Sequence, residues 1–548
     1  MLVVAGYLVA TANGAWWREI MQGRAWSDAA SWWLMVATLI ALVALHFTLL
    51  VVFANRWVIK PLLSVLVLAS AGAAYYMHAY AVIMDPAMVQ NVLRTDTREV
   101  SELLTWGMAG NVLWWSAAPL GLIWWVRVVR LPWSKAAVVR VASIAGALVV
   151  AVLAILSVSR DITSFMRNHR EARYLITPAN FLYGLAVNSA DRVRDRNAIR
   201  QPVGLDASLL RVGPPGKPRV LVLVIGETAR AGNFSLLGYR RDTNPELARL
   251  DVTAFADVTS CGTSTEISLP CMFSPFGRAE YDERRIRNSE GLLDVLKRAG
   301  YTVRWIDNQS GCKGVCGGVD YLRIDPAAED GPCDGSECLD GVLIRRLERE
   351  LENVRGDTVL VLHMMGNHGP AYFRRYPPEF RRFKPDCATS ELRRCTREEV
   401  VNAYDNAILY TDHVLAGLVE VLRRDPDRLD AAMIYVSDHG ESLGEKGLYL
   451  HGMPRLFAPS EQTHVPLLVW LSPALTTHGD VSERCVRSRA SVAYSHDNLF
   501  HSVLGLMNVR TRVYRADRDI FDGCRGGTYS VQRTAAGPAP ARSEPLQR

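Results

Sequence analysis

The first 260 residues of this 548-residue chain contain no cysteine, which excludes disulfides and thiolate metal ligands from nearly half of it. Acidic residues are missing from two short loops there, one with Arg56 and Lys60, the other with Arg127, Arg130, Lys135 and Arg140. No basic residue precedes Arg18, so residues 1–17 lack the basic start of a cleaved signal peptide and read as a short first membrane span. A large excess of one charge is lacking too. The 62 basic residues are set against 56 acidic ones, interspersed through the second half, so the net charge of +6 argues for no nucleic-acid partner. It favours only the approach to an anionic membrane surface.

What the first 160 residues do have is tryptophan and long uncharged runs. Five windows, 1–17, 32–53, 61–84, 106–126 and 141–158, come near the roughly 20 residues that a bilayer core requires. The acid-free loops should be cytoplasmic, because the alternate loops carry Glu19, Asp28, Asp85, Asp96, Glu99 and Glu102. That places the N-terminus inside and everything after residue 160 outside. All ten cysteines follow Arg230, many at short separations: Cys261 and Cys271, Cys312 and Cys316, Cys333 and Cys338, Cys387 and Cys395, then Cys485 and Cys524. An even number confined to one region reads as disulfides made in an oxidising compartment, though connectivity does not follow from spacing. A zinc knuckle at Cys312 and Cys316 lacks a second pair of matching spacing.

In the loop 85–105, Asn91, Thr95 and Glu99 stand at i, i+4 and i+8, so a continuous helix would present all three on one face. His46 and His78 sit in the spans, where each is expected to be hydrogen-bonded within the bundle. Residues 161–215 read as interfacial helices and a linker, ending in a Gly- and Pro-rich boundary at 213–218. A catalytic domain should span 216–529, followed by a disordered Ala-, Pro- and Arg-rich tail at 530–548.

From Arg219 onward, apolar strands alternate with helical stretches, which predicts an α/β domain with a mostly parallel central sheet. The run 220–225 is unbroken and largely β-branched, as in a strand buried on both faces, and Glu227 follows its end. A second run ends in Asp438 and His439. Open α/β sheets gather their ligand groups beyond the carboxyl ends of strands, so these three make an O/O/N set suited to zinc with a fourth position open. The hydroxyl-rich turn at 260–265, leading into a helix start, offers Thr263, Ser264 or Thr265 for that position. A metal there would make a hydroxyl a usable nucleophile towards phosphorus. His368 and His451, in loops after strands, should approach the same edge, with His363 the weaker choice because it is still inside its apolar run.

These residues resemble the phosphoethanolamine transferases of the Gram-negative inner membrane, which include the lipid A-modifying and mobile colistin resistance enzymes. The resemblance rests on five motifs in order: GETAR at 226–230, SCGTST at 260–265, NQSGCKGVC at 308–316, NHGP at 367–370 and SDHGES at 437–442. It implies a sulfatase or alkaline-phosphatase-like periplasmic domain hung from five membrane helices. It implies a catalytic zinc held by Glu227, Thr265, Asp438 and His439, with Thr265 as the nucleophile. It assigns His368 and His451 to a second zinc or the substrate phosphate, Lys313 and Glu441 to the same pocket, and Asn91, Thr95 and Glu99 to a membrane-proximal substrate site. Disulfides at 261/271, 312/316, 333/338 and 387/395 are implied likewise, which leaves Cys485 and Cys524 to each other. The implied reaction moves phosphoethanolamine from phosphatidylethanolamine to a lipid A phosphate through a phosphoethanolamine-threonine intermediate, in a monomer, and so favours polymyxin resistance. Core heptose, Kdo or a periplasmic glucan are alternative acceptors, and glycerol phosphate an alternative group.

Overall fold

The computed structural model describes the whole chain except residues 96, 130, 196–198, 211–216, 330, 478–480 and 527–548. The expected tail at 530–548 therefore lies outside the described residues. The chain divides into two compact units, Met1–Arg196 with Gly444–Tyr449, and Asn197–Leu443 with Leu450–Arg548.

The first unit is helical: α1 (Leu2–Thr11), α2 (Gly14–Ile20), α3 (Ala29–Val52), α4 (Ile59–Ala79), α5 (Pro86–Arg94), α6 (Thr97–Leu103), α7 (Trp106–Trp125), α8 (Trp133–Ser157), α9 (Ser159–Asn168) and α10 (Ala179–Asp195). Asp28 starts α3 by accepting the backbone N–H groups of Ala30 and Ser31. Among the described residues three helices, α3, α4 and α8, are long and apolar enough to cross a membrane. The helix α7 has 20 residues and carries no charged side chain. The first window is broken into two helices. The helix α1 has 10 residues, about 15 Å at 1.5 Å per residue, and stops before Asn13. The Asn13 amide holds that break by donating to the carbonyls of Leu8 and Thr177 at 2.9 Å each, while its oxygen accepts from the Thr177 N–H at 2.7 Å.

The continuous helical face expected for Asn91, Thr95 and Glu99 is absent. The helix α5 ends at Arg94 and Thr95 is extended, with its hydroxyl turned back onto the Asn91 carbonyl at 2.7 Å. A threonine hydroxyl that satisfies a terminal carbonyl in this way competes with helix continuation, and the chain restarts at Thr97. The Glu99 side chain lies outside the described residues.

The second unit holds a seven-stranded sheet made of β1 (Arg219–Gly226), β2 (Val252–Phe255), β3 (Thr302–Asp307), β4 (Asp320–Arg323), β5 (Thr358–His363), β6 (Asp430–Ser437) and β7 (Leu467–Leu471). Its order is β2-β7-β6-β1-β5-β3-β4. The sheet is mixed, because β7 runs antiparallel to both β6 and β2, while the other pairings are parallel. The short edge strands β2 and β4 have no long apolar run to announce them.

The central position of β1 explains its composition, since residues 220 to 225 are all fully buried. Leu221, Leu223 and Ile225, on one face, join a core with Leu269, Met272, Phe273, Trp305 and Phe500. Leu269 and Met272 belong to α11 (Thr265–Met272), so packing under the sheet seats that helix and fixes where its first residue stands. A Leu223→Ala change would cost about 2–5 kcal/mol by leaving a cavity there.

Candidate active site

Neighbouring parallel strands bring their carboxyl ends to one edge. Gly226 pairs with Ser437 across β1 and β6, so the residues that follow, Glu227 and Asp438, emerge side by side. The Thr228 N–H donates to Asp438 Oδ1 at 3.2 Å, and the His439 N–H donates to the same oxygen at 2.7 Å. Thr228 has φ +52°, a left-handed conformation that turns the chain sharply after Glu227. The Tyr404 hydroxyl holds this turn by donating to the Thr228 carbonyl at 2.7 Å. On the other side, Gly366 (φ +56°) passes so near that a Cβ would lie 2.6 Å from the Glu227 carbonyl oxygen. Only glycine fits there.

Glu227, Asp438 and His439 are fully buried, and one ligand atom from each lies within 4.8 Å of the others. His439 Nε2 is 3.4 Å from Glu227 Oε1 and 3.4 Å from Asp438 Oδ2. Its Nδ1 lies 2.9 Å from the Gly440 carbonyl and must carry the proton there, which leaves the Nε2 lone pair aimed at the carboxylates. Thr265, first residue of α11, donates from Oγ1 to Glu227 Oε2 at 3.0 Å and lies 3.5 Å from His439 Nε2. Among the described residues, Glu227 Oε1 and Asp438 Oδ2 are buried with no hydrogen-bond partner. Buried carboxylate oxygens without donors are costly. Two orphaned oxygens, one imidazole lone pair and one hydroxyl fit a small divalent cation such as zinc.

The electrostatics say the same. Burial alone would lower the His439 basicity, but the charges of Asp438 and Glu227 push it up to about 10. Burial and the neighbouring Glu227 charge push Asp438 upward. Burial would also raise Glu227, but the close approach of a charged His439 holds it well below the usual carboxylate range. With no other cation, a proton on His439 balances the two acids.

Around this centre, the His451 ring lies 4.4 Å from that of His439, and His368 lies 5.8 Å from His451, centroid to centroid. His451 Nδ1 is 3.0 Å from Glu441 Oε2, whose other oxygen accepts from the Tyr372 hydroxyl at 3.1 Å. The Lys313 ammonium is bound by the Ser310 hydroxyl at 2.8 Å, on the turn whose Gln309 reaches the centre. Asn91 and Thr95 belong to the other unit. His363 is not at the centre. It lies fully buried in β5 with Nδ1 2.8 Å from Asp307 Oδ1.

Three residues escaped sequence reasoning. Gln309 donates from Nε2 to Glu227 Oε2 at 3.0 Å, and its place beside Lys313 in the NQSG turn was a usable signal. The Ser437 hydroxyl accepts the Ala229 N–H at 2.8 Å and donates to the His439 carbonyl at 3.0 Å, tying the two strand ends together. His496 accepts the Cys261 N–H at Nδ1 (3.1 Å) and donates from Nε2 to the Ser437 carbonyl (3.0 Å), joining the hydroxyl-rich turn to β6. Its partners are backbone groups far away in sequence, so no local pattern could have shown this. Burial lowers the His496 pKa to about 4, which keeps the ring neutral, as both bonds require.

The structure joins Cys261 to Cys271, Cys312 to Cys316, Cys333 to Cys338, Cys387 to Cys395 and Cys485 to Cys524. The first two bonds lie in the turns that carry Thr265 and Lys313.

Comparison with known proteins covers both units. A sulfatase family profile matches residues 219–509, and the profile of phosphoethanolamine transferase EptA/EptB matches residues 42–192. The chain is 35% identical over 529 residues to phosphoethanolamine transferase EptA of Salmonella typhimurium, covering 96% of each chain. It is 37% identical over 477 residues to phosphatidylethanolamine transferase Mcr-1 of Escherichia coli, covering 85% of this chain and 88% of the relative. The solved integral membrane protein lipooligosaccharide phosphoethanolamine transferase A of Neisseria meningitidis superposes with a TM-score of 0.90 at 35% identity, covering 96% of this chain and 98% of that one.

Proposed function

The chain belongs to the phosphoethanolamine transferases, and from that premise we propose that it moves phosphoethanolamine from phosphatidylethanolamine onto a phosphate of lipid A by way of Thr265. The observation that carries this reading is the Thr265 hydroxyl, 3.0 Å from Glu227 Oε2 and 3.5 Å from His439 Nε2, beside two buried carboxylate oxygens that lack donors. A binding module has no use for a hydroxyl held against such a centre.

Thr265 Oγ1 attacks the phosphorus of the donor lipid, with its proton leaving along the bond to Glu227 Oε2. The bond from phosphorus to the diacylglycerol oxygen breaks, and that oxygen takes up a proton, for which His451, oriented by Glu441, is a donor in the same cluster. A phosphate oxygen of lipid A then attacks the phosphoethanolamine-threonine, and the bond from Thr265 Oγ1 to phosphorus breaks to restore the hydroxyl. A zinc ion held by Glu227, Asp438, His439 and Thr265 would supply a lowered hydroxyl pKa and offset the negative charge on the phosphoryl oxygens. Lys313 and His368 serve that charge from the protein side. Glu227 is oriented for its role by Gln309 and by the close passage of Gly366.

Both substrates are lipids, so the reaction belongs at a bilayer surface. The helical unit crosses the inner membrane, and the catalytic unit works in the periplasm. Keeping both basic loops on the cytoplasmic side requires α7 to cross as well as α3, α4 and α8, because the chain must return between Ala79 and Arg127. The first crossing, α1 with α2, makes five. One chain supplies every reacting group, so the enzyme acts as a monomer. Capping lipid A phosphates with ethanolamine lowers the negative charge of the outer surface and so reduces attraction of cationic peptides such as polymyxin.

Mass spectrometry of lipid A from cells that make the wild-type or the Thr265→Ala chain tests the proposal. The wild type adds phosphoethanolamine, and the variant loses about a thousandfold or more in transfer while its thermal midpoint stays in place. Transfer by the variant at the wild-type rate would eliminate Thr265 as nucleophile, and an unmodified lipid A with a modified glycan would eliminate the acceptor.

A further inference from the structure

Two arginines are anchored to the turn that carries Thr265. The chain reaches Arg278 through Gly277, whose φ of +62° turns it against Asp497, where a Cβ on Gly277 would lie 2.4 Å from the carboxyl group. The Asp497 carboxylate accepts the backbone N–H groups of Arg278 and, at 2.9 Å, of Ala279. Its neighbour His496 binds the Cys261 N–H, which ties Arg278 to the hydroxyl-rich turn. Arg455 is tied to the same turn by other bonds: Thr263 donates to the Met453 carbonyl at 2.6 Å, and the Gly452 N–H donates to the Thr263 carbonyl at 2.8 Å.

Among the described residues neither guanidinium has a hydrogen-bond acceptor or an ion-pair partner, and Arg455 Nε is buried without one. Arg278 lies over the Tyr281 ring, 4.9 Å from its centre, a contact that gives its N–H groups no oxygen. Burial lowers the Arg455 pKa and the charge of Arg278 lowers it further, so the two cations are near each other. Like charges brought together are unfavourable unless an anion is received between them. Next to Arg455 the loop exposes Leu456 and Phe457, by 82% and 43%. Free guanidiniums beside two exposed apolar side chains call for a ligand with an oxyanion at one end and hydrocarbon at the other. Charge and oxygen count narrow the oxyanion. A phosphomonoester carries about −1.5 to −2 near pH 7, which matches two cations, and has three free oxygens. A guanidinium fork takes two of them and leaves the third to attack, whereas a phosphodiester held in this way has none left.

We propose that Arg278 and Arg455 bind the phosphomonoester of the acceptor, with Leu456 and Phe457 against its hydrocarbon, and so select a phosphorylated lipid. The assignment rests on the reading of Thr265 transfer for the identity of that lipid, lipid A. In the second step the free monoester oxygen attacks phosphorus, the bond from Thr265 Oγ1 breaks, and Oγ1 recovers its proton along the bond to Glu227. The acceptor phosphorus is then a diester with one charge fewer, which loosens its hold on the arginines and favours release.

The test uses the full-length chain with Thr265→Ala, which removes turnover, in mild detergent, and measures equilibrium binding of lipid A. Dephosphorylated lipid A and dioleoylphosphatidylethanolamine are the comparison arms. Binding is thus read apart from transfer: wild-type chain that binds lipid A without modifying it refutes the reaction and leaves the site standing. Arg278→Gln with Arg455→Gln should weaken lipid A binding about tenfold or more, equivalent to about 1.4 kcal/mol, and bring it to the level of the dephosphorylated lipid. Lysine at both positions should restore part of the loss, which a merely structural role would not allow. Leu456→Ser with Phe457→Ser should weaken lipid A binding about fivefold. If the double glutamine variant fails to fold, Arg278→Gln alone, at an exposed position, decides. Undiminished binding in the folded arginine variants overturns the site. An equal loss for phosphatidylethanolamine overturns its assignment to the acceptor, and sensitivity to the arginines but not to Leu456 and Phe457 overturns the lipid in favour of a phosphorylated glycan.

Discussion

The two units satisfy their polar groups in opposite ways. In the membrane unit, buried polar side chains act singly: Asn13 closes the break after α1, and His46 Nδ1 meets the Leu42 carbonyl at 2.7 Å. In the catalytic unit, buried polar groups crowd at the strand ends, where Glu227, Asp438, His439, Ser437, Tyr404 and His496 brace one another. The first unit can do without such networks because its surroundings are hydrocarbon and its helices satisfy their own backbones. The second holds charges in its interior by pairing them, and where two carboxylate oxygens, Glu227 Oε1 and Asp438 Oδ2, face one imidazole without donors, a cation fits.

Reduction should separate the units most strongly. All five disulfides lie in the catalytic unit, and a native disulfide typically contributes about 2–5 kcal/mol. Reductant should lower the thermal midpoint of the catalytic unit by many degrees and leave helical circular dichroism from the membrane unit in place. A single transition, lost as one, would show that the units do not differ in this way.

Acid should come next. His496 titrates near 6.5 when unfolded and near 4 when folded, so its folded form resists protonation. Its contribution is whole above about pH 6.5 and drains as pH falls towards 4, by up to about 3 kcal/mol. Denaturation of the catalytic unit should therefore steepen over that window, and His496→Asn should remove part of the slope. Equal slopes in the two proteins would mean that the ring is not held neutral.

The smallest effect tests the centre itself. Gln309→Leu deletes the amide that orients Glu227 and should weaken zinc affinity about 10–100-fold, read by chelator competition in the absence of substrate. The Gln309→Glu variant, which swaps a donor for a second carboxylate, should weaken orientation in the same way, whereas Gln309→Asn should restore part of it. Unchanged affinity across the three would remove Gln309 from the centre.

The legibility of the site followed the length of each signal. Glu227 and Asp438-His439 stood out because each closes an apolar run long enough to be a buried central strand, and parallel pairing then aligns the run ends. The choice among three hydroxyls was open to the residues themselves, and their contacts differ: Thr263 donates to the Met453 carbonyl at 2.6 Å, Ser264 stands at the helix cap, and Thr265 reaches Glu227. The face built from Asn91, Thr95 and Glu99 failed because periodicity says nothing of a hydroxyl that folds back on its own helix.

The amino-acid order by itself determined the division into an apolar helical half and a cysteine-bearing α/β half, the two strand-end acids and an even set of cysteines suited to disulfides, since each is written in local composition and spacing. Only the tertiary structure decided the antiparallel strand β7, the break at Asn13 and the braces from Gln309 and His496. Those depend on groups distant in sequence meeting in space, where the need to satisfy a buried donor or acceptor, and not any repeat along the chain, selects the partner.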